Sequence, residues 1–128
     1  MKASKIQINS KRASPPAGPY SQGIAAGPFI FVAGQRPVDV NGKMGSDIKE
    51  QTRFCIENIK AILEEAGSSL ADIVKSNIYL SDIGNFAAMN EVYREMIPEP
   101  YPARTTIGTM LRGILVEIEV IALRQDFE

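Results

Sequence analysis

Residues 115–123 alternate two kinds of side chain with the period of a β-strand. Strand side chains point to opposite faces in turn. Val116, Ile118, Val120 and Ala122 therefore share one face, and Leu115, Glu117, Glu119, Ile121 and Leu123 share the other. The first face is uniformly apolar and suits packing under helices. The second is too apolar to be washed freely by water and too acidic for a plain core. Such a surface suits a subunit interface that holds a polar pocket. The simpler reading is two solvated glutamates among scattered apolar residues.

Upstream, the chain divides into runs of strand and helix character. Residues 5–9 alternate apolar and polar side chains, as a short strand does. The stretch Ser14-Pro15-Pro16-Ala17-Gly18-Pro19 reads as a stiff extended loop. Residues 20–26 and 29–33 read as two strands parted by the turn pair Gly27-Pro28. A loop over residues 35–45 follows, tightest at Asn41-Gly42. Asp47 as N-cap, with Glu50 three residues on, forms an Asp version of the capping box. Behind it Ile48, Cys55, Ile56, Ile59, Ile62, Leu63 and Ala66 mark one helical face, and Gly67 ends the helix. A single turn over residues 69–72 leads to a strand, residues 73–80, rich in β-branched and aromatic side chains. A second helix runs from Asn85, as cap, to Met96, with Phe86, Met89, Val92, Tyr93 and Met96 as its core face. Pro98, Pro100 and Pro102 close it. Residues 104–110 and 114–123 complete the chain as two strands joined by a short turn at Arg112-Gly113. The order β-β-β-α-β-α-β-β predicts one α+β domain over residues 1–128, with both helices on one sheet face.

The absence of histidine narrows the chemistry. It excludes Ser-His and Cys-His nucleophile pairs, His-ligated metals and His general bases. The lone Cys55 rules out an intrachain disulfide and a multi-cysteine zinc site, and fits a reducing compartment. On the helix stripe it reads as packing rather than as a reactive thiol. Lys75 reads as an exposed or ion-paired strand lysine rather than a Schiff-base former, and Asn90 as a helix or interface hydrogen-bonder. A net charge of −1 offers no general attraction for nucleic acid or an anionic membrane. No apolar run approaches the roughly 20 residues of a membrane span, and residues 1–16 lack the apolar stretch of a signal peptide. The charge is uneven, however. Lys2, Lys5, Lys11, Arg12 and Arg36 all precede the first acid, Asp39. This is either a solvated strand and loop or a patch that attracts small carboxylates.

Arg104 begins the penultimate strand. With a turn centred near Leu111-Arg112, it lies across from Glu119 and diagonal to Glu117, within roughly 4.5–8 Å. One reading is a surface salt bridge, worth about 0–1 kcal/mol. The other is a carboxylate-binding arginine beside a water-orienting glutamate, since a guanidinium fork matches a carboxylate with two parallel hydrogen bonds.

Several short motifs occur in a fixed order. They are Gly18-Pro19-Tyr20-Ser21-Gln22, Ala33-Gly34-Gln35 with Pro37, Gln51-Thr52, Asn58-Ile59-Lys60, Val74-Lys75 and Asn90-Glu91-Val92-Tyr93. Pro102-Ala103-Arg104-Thr105-Thr106 and Val116-Glu117-Ile118-Glu119-Val120-Ile121-Ala122 close the series. Together, over residues 6–124, they resemble the RidA/YjgF family of reactive-intermediate deaminases. The resemblance implies a chorismate-mutase-like α+β fold assembled as a homotrimer, with sheets lining a central barrel and active sites in clefts between subunits. It implies a cytoplasmic enzyme without metal or cofactor, and leaves too few leading residues for a cleavable targeting segment. The expected reaction is hydrolysis of 2-imino acids and their enamine tautomers (2-aminoacrylate, 2-iminopropanoate, 2-iminobutanoate) to 2-keto acids and ammonia.

On that resemblance Arg104 binds the substrate carboxylate and Glu117 positions or activates water. Tyr20 borders the cleft, and the backbones of Gly34 and Thr106 hydrogen-bond the substrate. A free imine is already electrophilic, so orientation and one placed water meet most of the demand. Three departures stand out. The turn Leu111-Arg112-Gly113 is shorter than the family's Leu-Pro-Lys/Arg-Gly turn, which bears on the register between Arg104 and Glu117. Thr106 stands where many bacterial members carry Cys, and Arg36 occupies a usually apolar position and bears on substrate preference. Two other functions compete. One is a non-catalytic trimeric metabolite-binding or regulatory module using the same cleft. The other is the ribonuclease or translation-inhibitor role with which the family has been labelled. The slightly acidic charge and the absence of Trp disfavour the latter.

Overall fold

The computed structural model describes residues 3–127. Lys2, part of the basic leading segment, lies outside the described residues. The elements follow the expected order: β1 (Ile6–Ile8), β2 (Gly23–Ala26), β3 (Phe29–Gln35), α1 (Ile48–Glu65), β4 (Ile73–Leu80), α2 (Phe86–Met96), β5 (Ala103–Gly108) and β6 (Val116–Leu123). Residues 20–22, 109–110 and 114–115 fall outside the strands and belong to the loops that frame the clefts described below.

The capping signals of α1 act as expected. Asp47 Oδ1 accepts the N–H of Glu50 at 2.9 Å, and Glu50 Oε1 accepts the N–H of Ser46 at 2.8 Å. At the other end the N–H of Gly67 bonds to the carbonyl of Glu64 and that of Ser68 to Leu63. This paired pattern uses Gly67 at φ +74°, where a Cβ would be strained. The start of α2 differs from expectation. Asn85 makes no side-chain cap; Asp82 instead accepts from Gly84 N–H and caps a 3₁₀ turn, Ile83–Asn85, that runs into the helix. A 3₁₀ lead-in satisfies the early donors of a helix without an N-cap side chain.

The six strands form one sheet in the order β1-β2-β3-β6-β4-β5. This corrects the expected hairpin between the last two strands. β5 pairs with β4, in parallel, and β6 pairs antiparallel with both β3 and β4. β4 therefore separates β5 from β6. Arg104 aligns with Ser76, and Glu119 aligns with Asn77. The physical reason lies in burial. β4 and β6 each have a fully covered face and take interior positions. β5, with its Arg-Thr-Thr sequence and mostly exposed side chains, takes the edge. The β4–α2–β5 crossover is the ordinary way to join parallel neighbours. The connection from β5 to β6 passes over the end of β4, where Thr109 N–H bonds to Leu80 and Ser81 N–H to Leu115.

Both helices pack on one face, as expected. Val116, Ile118, Val120 and Ala122 of β6 are buried there with Ile78 and Leu80 of β4, Ile30 and Val32 of β3, Ile56, Ile59, Ile62 and Leu63 of α1, and Met89 and Tyr93 of α2. Phe86 departs from the expected stripe, being 40% exposed at the sheet edge. Cys55 is fully buried and its Sγ lies 3.2 Å from the Gln35 carbonyl; burial pushes its thiol pKa upward, so it is packing. The helix-free face remains open in the single chain, with Phe29 (37%), Phe31 (44%), Ile107 (45%) and Leu123 (41%) exposed.

Three buried amides pin the loops. Gln22 accepts from Ser10 N–H and donates to the Ser10 and Ser14 carbonyls. Asn58 accepts from Ser14 N–H and donates to the Val38 carbonyl. Gln51 donates to the Gly45 carbonyl and accepts from Leu115 N–H. Replacing Ile118, which sits centrally and is 1% exposed, by Ala is expected to cost about 2–5 kcal/mol, read as a lower midpoint in chemical denaturation. A loss below about 1 kcal/mol would contradict the central placement of β6.

Candidate functional site

β3 carries an extra residue against β6. Val32 aligns with Val120 but Gln35 with Ile118, so Ala33 and Gly34 bulge opposite Glu119. Bulges re-aim backbone and side chains and recur beside functional sites. Here the bulge brings Gly34 against Glu117 of β6. A Cβ at Gly34 would lie 2.5 Å from Glu117 Oε2 and 3.2 Å from its Cγ. Glycine is therefore what lets the carboxylate fold down onto β3.

Glu117 is half-buried and makes no ion pair or side-chain hydrogen bond among the described residues. Burial raises its carboxyl pKa above the ordinary 4.5, the charge of Glu119 raises it further, and Arg36 pulls against both. Glu119 is held differently. It accepts a short hydrogen bond from the Tyr79 hydroxyl and one from Asn77 Nδ2 at 3.3 Å. The bond to Glu119, with burial behind it, pushes the Tyr79 phenol up to about 12. Two neighbouring carboxylates thus differ: one is tied into the sheet and one is free to act on a ligand.

Tyr20 is 43% exposed, and its hydroxyl accepts the N–H of Ala17 at 3.0 Å. It stands with Arg36, Arg112 and Glu117 around an open cleft of about 540 Å³ whose apolar wall includes Leu111 and Ile114. A smaller adjoining recess is lined by Tyr20, Arg36 and Gly34. Tyr20, Gly34 and Glu117 therefore converge on the open side of the sheet.

Arg104 and Thr106 do not join them. They lie on β5, with side chains on the helix-covered side, because Arg104 aligns with buried Ser76. The Arg104 Cζ sits 4.8 Å from the Tyr93 ring centroid and 5.6 Å from that of Phe86. Such stacking is worth about 0.5–2 kcal/mol and holds the guanidinium plane. Burial raises the Tyr93 phenol, partly offset by its hydroxyl contact with Ser76 Oγ at 2.7 Å and by the charge of Arg104. Arg104 forms no ion pair among the described residues and opens onto a recess of about 260 Å³ with Asn90, Arg94 and Tyr101. Two buried atoms nearby, Asn90 Oδ1 and Thr106 Oγ1, have no hydrogen-bond partner among the described residues.

The expected meeting of Arg104 with Glu117 and Glu119 on one face of one sheet is thus corrected. They occupy opposite faces with β4 between their strands. The aromatic platform under Arg104 was not assigned this role from sequence. Its signal was present, because Phe86 and Tyr93 are seven residues apart on one helical face. Among the described residues no group of three His, Cys, Asp or Glu side chains could hold a metal. Lys75 donates to Thr105 Oγ1 at 3.1 Å, a cross-strand contact rather than a reactive amine.

The raised pKa of Glu117 has a definite sign. A carboxyl raised in the folded state binds its proton more tightly there than in the unfolded chain. Its contribution to stability is full below 4.5 and is lost as pH rises through the folded value. The stability of Glu117→Gln relative to the parent is therefore expected to rise with pH across that window in denaturation series. Gly34→Ala is expected to push the carboxylate into water and bring its titration back toward 4.5, read from the Glu117 carboxyl carbon by NMR. An unchanged titration would contradict the packing of Glu117 on Gly34.

Comparison with known proteins agrees with this architecture. The family model described as Endoribonuclease L-PSP matches residues 10–124. A RutC family protein of Pyrococcus abyssi is 50% identical over 94% of this chain and 98% of its own length. An Escherichia coli protein named "Putative reactive intermediate deaminase TdcF" is 37% identical over 91% of this chain and 95% of its own. The crystal structure of RidA from the Antarctic bacterium Psychrobacter sp. superposes with a TM-score of 0.89 at 38% identity, covering 92% of this chain and 98% of that one. With a family model spanning most of its length, and close relatives in both sequence and fold, this chain belongs to the RidA/YjgF family.

Proposed function

We propose that the protein hydrolyses 2-imino acids and their enamine tautomers, such as 2-aminoacrylate, 2-iminopropanoate and 2-iminobutanoate, to 2-keto acids and ammonia. The observation that carries this reading is Arg104: a guanidinium without an ion pair among the described residues, held on two aromatic rings beside an open recess. Such a fork is prepared for a carboxylate.

The two halves of the site lie on opposite faces of one chain. The proposal therefore includes a homotrimer in which Arg104 and Thr106 of one copy face Tyr20, Gly34 and Glu117 of the next. The exposed apolar residues of the helix-free face support it, because contiguous apolar surface of this kind is ordinarily covered. In the shared cleft Arg104 takes the substrate carboxylate and the backbones of Gly34 and Thr106 hold the imine. A water held by Glu117 attacks the imine carbon. Its proton passes to the carboxylate and from there to nitrogen, which receives the C=N electron pair. The carbinolamine then passes its hydroxyl proton, by way of the Glu117 carboxylate, to nitrogen as C=O forms, and the C–N pair leaves with nitrogen as ammonia. No metal or cofactor is needed in this scheme. The buried lone cysteine fits a reducing, cytoplasmic setting, and no helix among the described residues is long and apolar enough to cross a membrane.

The family model's description as an endoribonuclease gives a second reading. A net charge of −1, no histidine and no tryptophan give it little support here.

The test generates 2-iminobutanoate in situ from its amino acid and follows its decay. The protein is expected to accelerate decay, with a particle mass three times that of one chain in light scattering. Arg104→Ala is expected to lower kcat/KM by at least about 100-fold, as for the loss of two charge-assisted hydrogen bonds. A fully active variant, or an inactive parent, would end the proposal. Because Glu117 must be ionised to receive a proton, the rate is expected to fall as pH drops through its raised value. That limb is expected to be absent from the residual activity of Glu117→Gln.

A further inference from the structure

Arg36 stands in two of the recesses that adjoin Tyr20, one containing Gly34 and the other Glu117. Its backbone is fixed. Its carbonyl accepts from Val38 N–H at 2.9 Å and from Asn58 Nδ2 at 3.4 Å, and Pro37 follows it. The side chain therefore projects from an anchored main chain. Arg112 faces the same cleft from the turn at Gly113, whose φ is +69°.

Arg12, Arg53 and Arg124 each have an acidic partner, in Glu64, Glu95 and Asp126. Neither Arg36 nor Arg112 forms an ion pair among the described residues. Among the described residues the only carboxylate lining their cleft is Glu117. Two guanidinium groups against one glutamate leave a net positive recess. A 2-imino acid with an apolar side chain brings one carboxylate, which Arg104 takes. The positive excess beside Glu117 then has no counter-charge.

We propose that this cleft selects 2-imino acids carrying a second carboxylate, such as 2-iminoglutarate and 2-iminosuccinate, with Arg36 as the specificity residue and Arg112 as a supporting charge. This rests on the deaminase reading above and names its preferred substrate class. Arg104 grips the α-carboxylate, Glu117 holds water at the imine carbon, and the distal carboxylate lies toward Arg36. The planar fork of arginine suits that terminal group. Leu111 and Ile114 face the methylenes between the two ends. Hydrolysis itself is unchanged: water adds, ammonia leaves, and a 2-keto dicarboxylate results.

The experiment compares kcat/KM for 2-iminoglutarate and 2-iminobutanoate, each produced by a matching amino-acid oxidase, on the intact protein. The parent is expected to favour the dicarboxylate by tenfold or more. Arg36→Ala is expected to lower that ratio at least tenfold, and Arg36→Lys to retain part of it. An even parent ratio, or a ratio unmoved by Arg36→Ala, would overturn the specificity assignment while leaving the deaminase reading intact. Failure to accelerate either imine would overturn both. Should Arg36→Ala not fold, inhibition of the parent by glutarate and butyrate decides instead. Glutarate is expected to inhibit at least tenfold more strongly, and equal inhibition would reject the assignment.

Discussion

A strand packed beneath helices can show only every second residue to its other side, and in β6 this rule sorts structure from chemistry. Val116, Ile118, Val120 and Ala122 are locked into the core, which leaves Glu117 and Glu119 no choice of face. The same burial places β6 between β3 and β4. That position puts Glu117 within reach of the Gly34 bulge and puts Glu119 beside Asn77 and Tyr79. If β6 slipped by one residue, its acids would enter the core and Val116, Ile118 and Val120 would meet water.

The two glutamates show how a sheet can assign different work to identical side chains. Glu119 receives two hydrogen bonds and is consumed by them. Glu117 receives none among the described residues and is pressed against a residue without a side chain. Its elevated affinity for a proton follows first from burial and then from the charge of Glu119 beside it. On the far side of β4, Arg104 is arranged by the opposite logic. Its plane is fixed by aromatic rings while its donors stay uncommitted.

Much of this was legible in the chain. Asp47, Glu50 and Gly67 mark the ends of α1 because caps are local chemistry. The alternation in β6 reveals its buried face for the same reason. The sheet order was not legible, because neighbouring strands in sequence need not be neighbours in space. Reading β5 and β6 as a hairpin put Arg104 beside Glu119, whereas the β4–α2–β5 crossover sends it to the edge. Tyr20, Gly34 and Glu117 were identified through motif resemblance. Their convergence depends on a bulge at Ala33 and Gly34 that no local periodicity announces. The support under Arg104 was present as two aromatics on one helical face, but its partner was hidden by the mistaken strand order.

The pinned loops have a consequence for how the cleft changes over time. Gln22, Asn58 and Gln51 hold the carbonyls and amides of the rim from beneath, through buried side chains. The side chains at Arg36, Leu111 and Arg112 hang from that rim without bearing its weight. Appetite for one compound or another can therefore drift by exchanging these tips while the frame stays put. An engineer seeking a new preference would randomise these three sites and leave the amides alone.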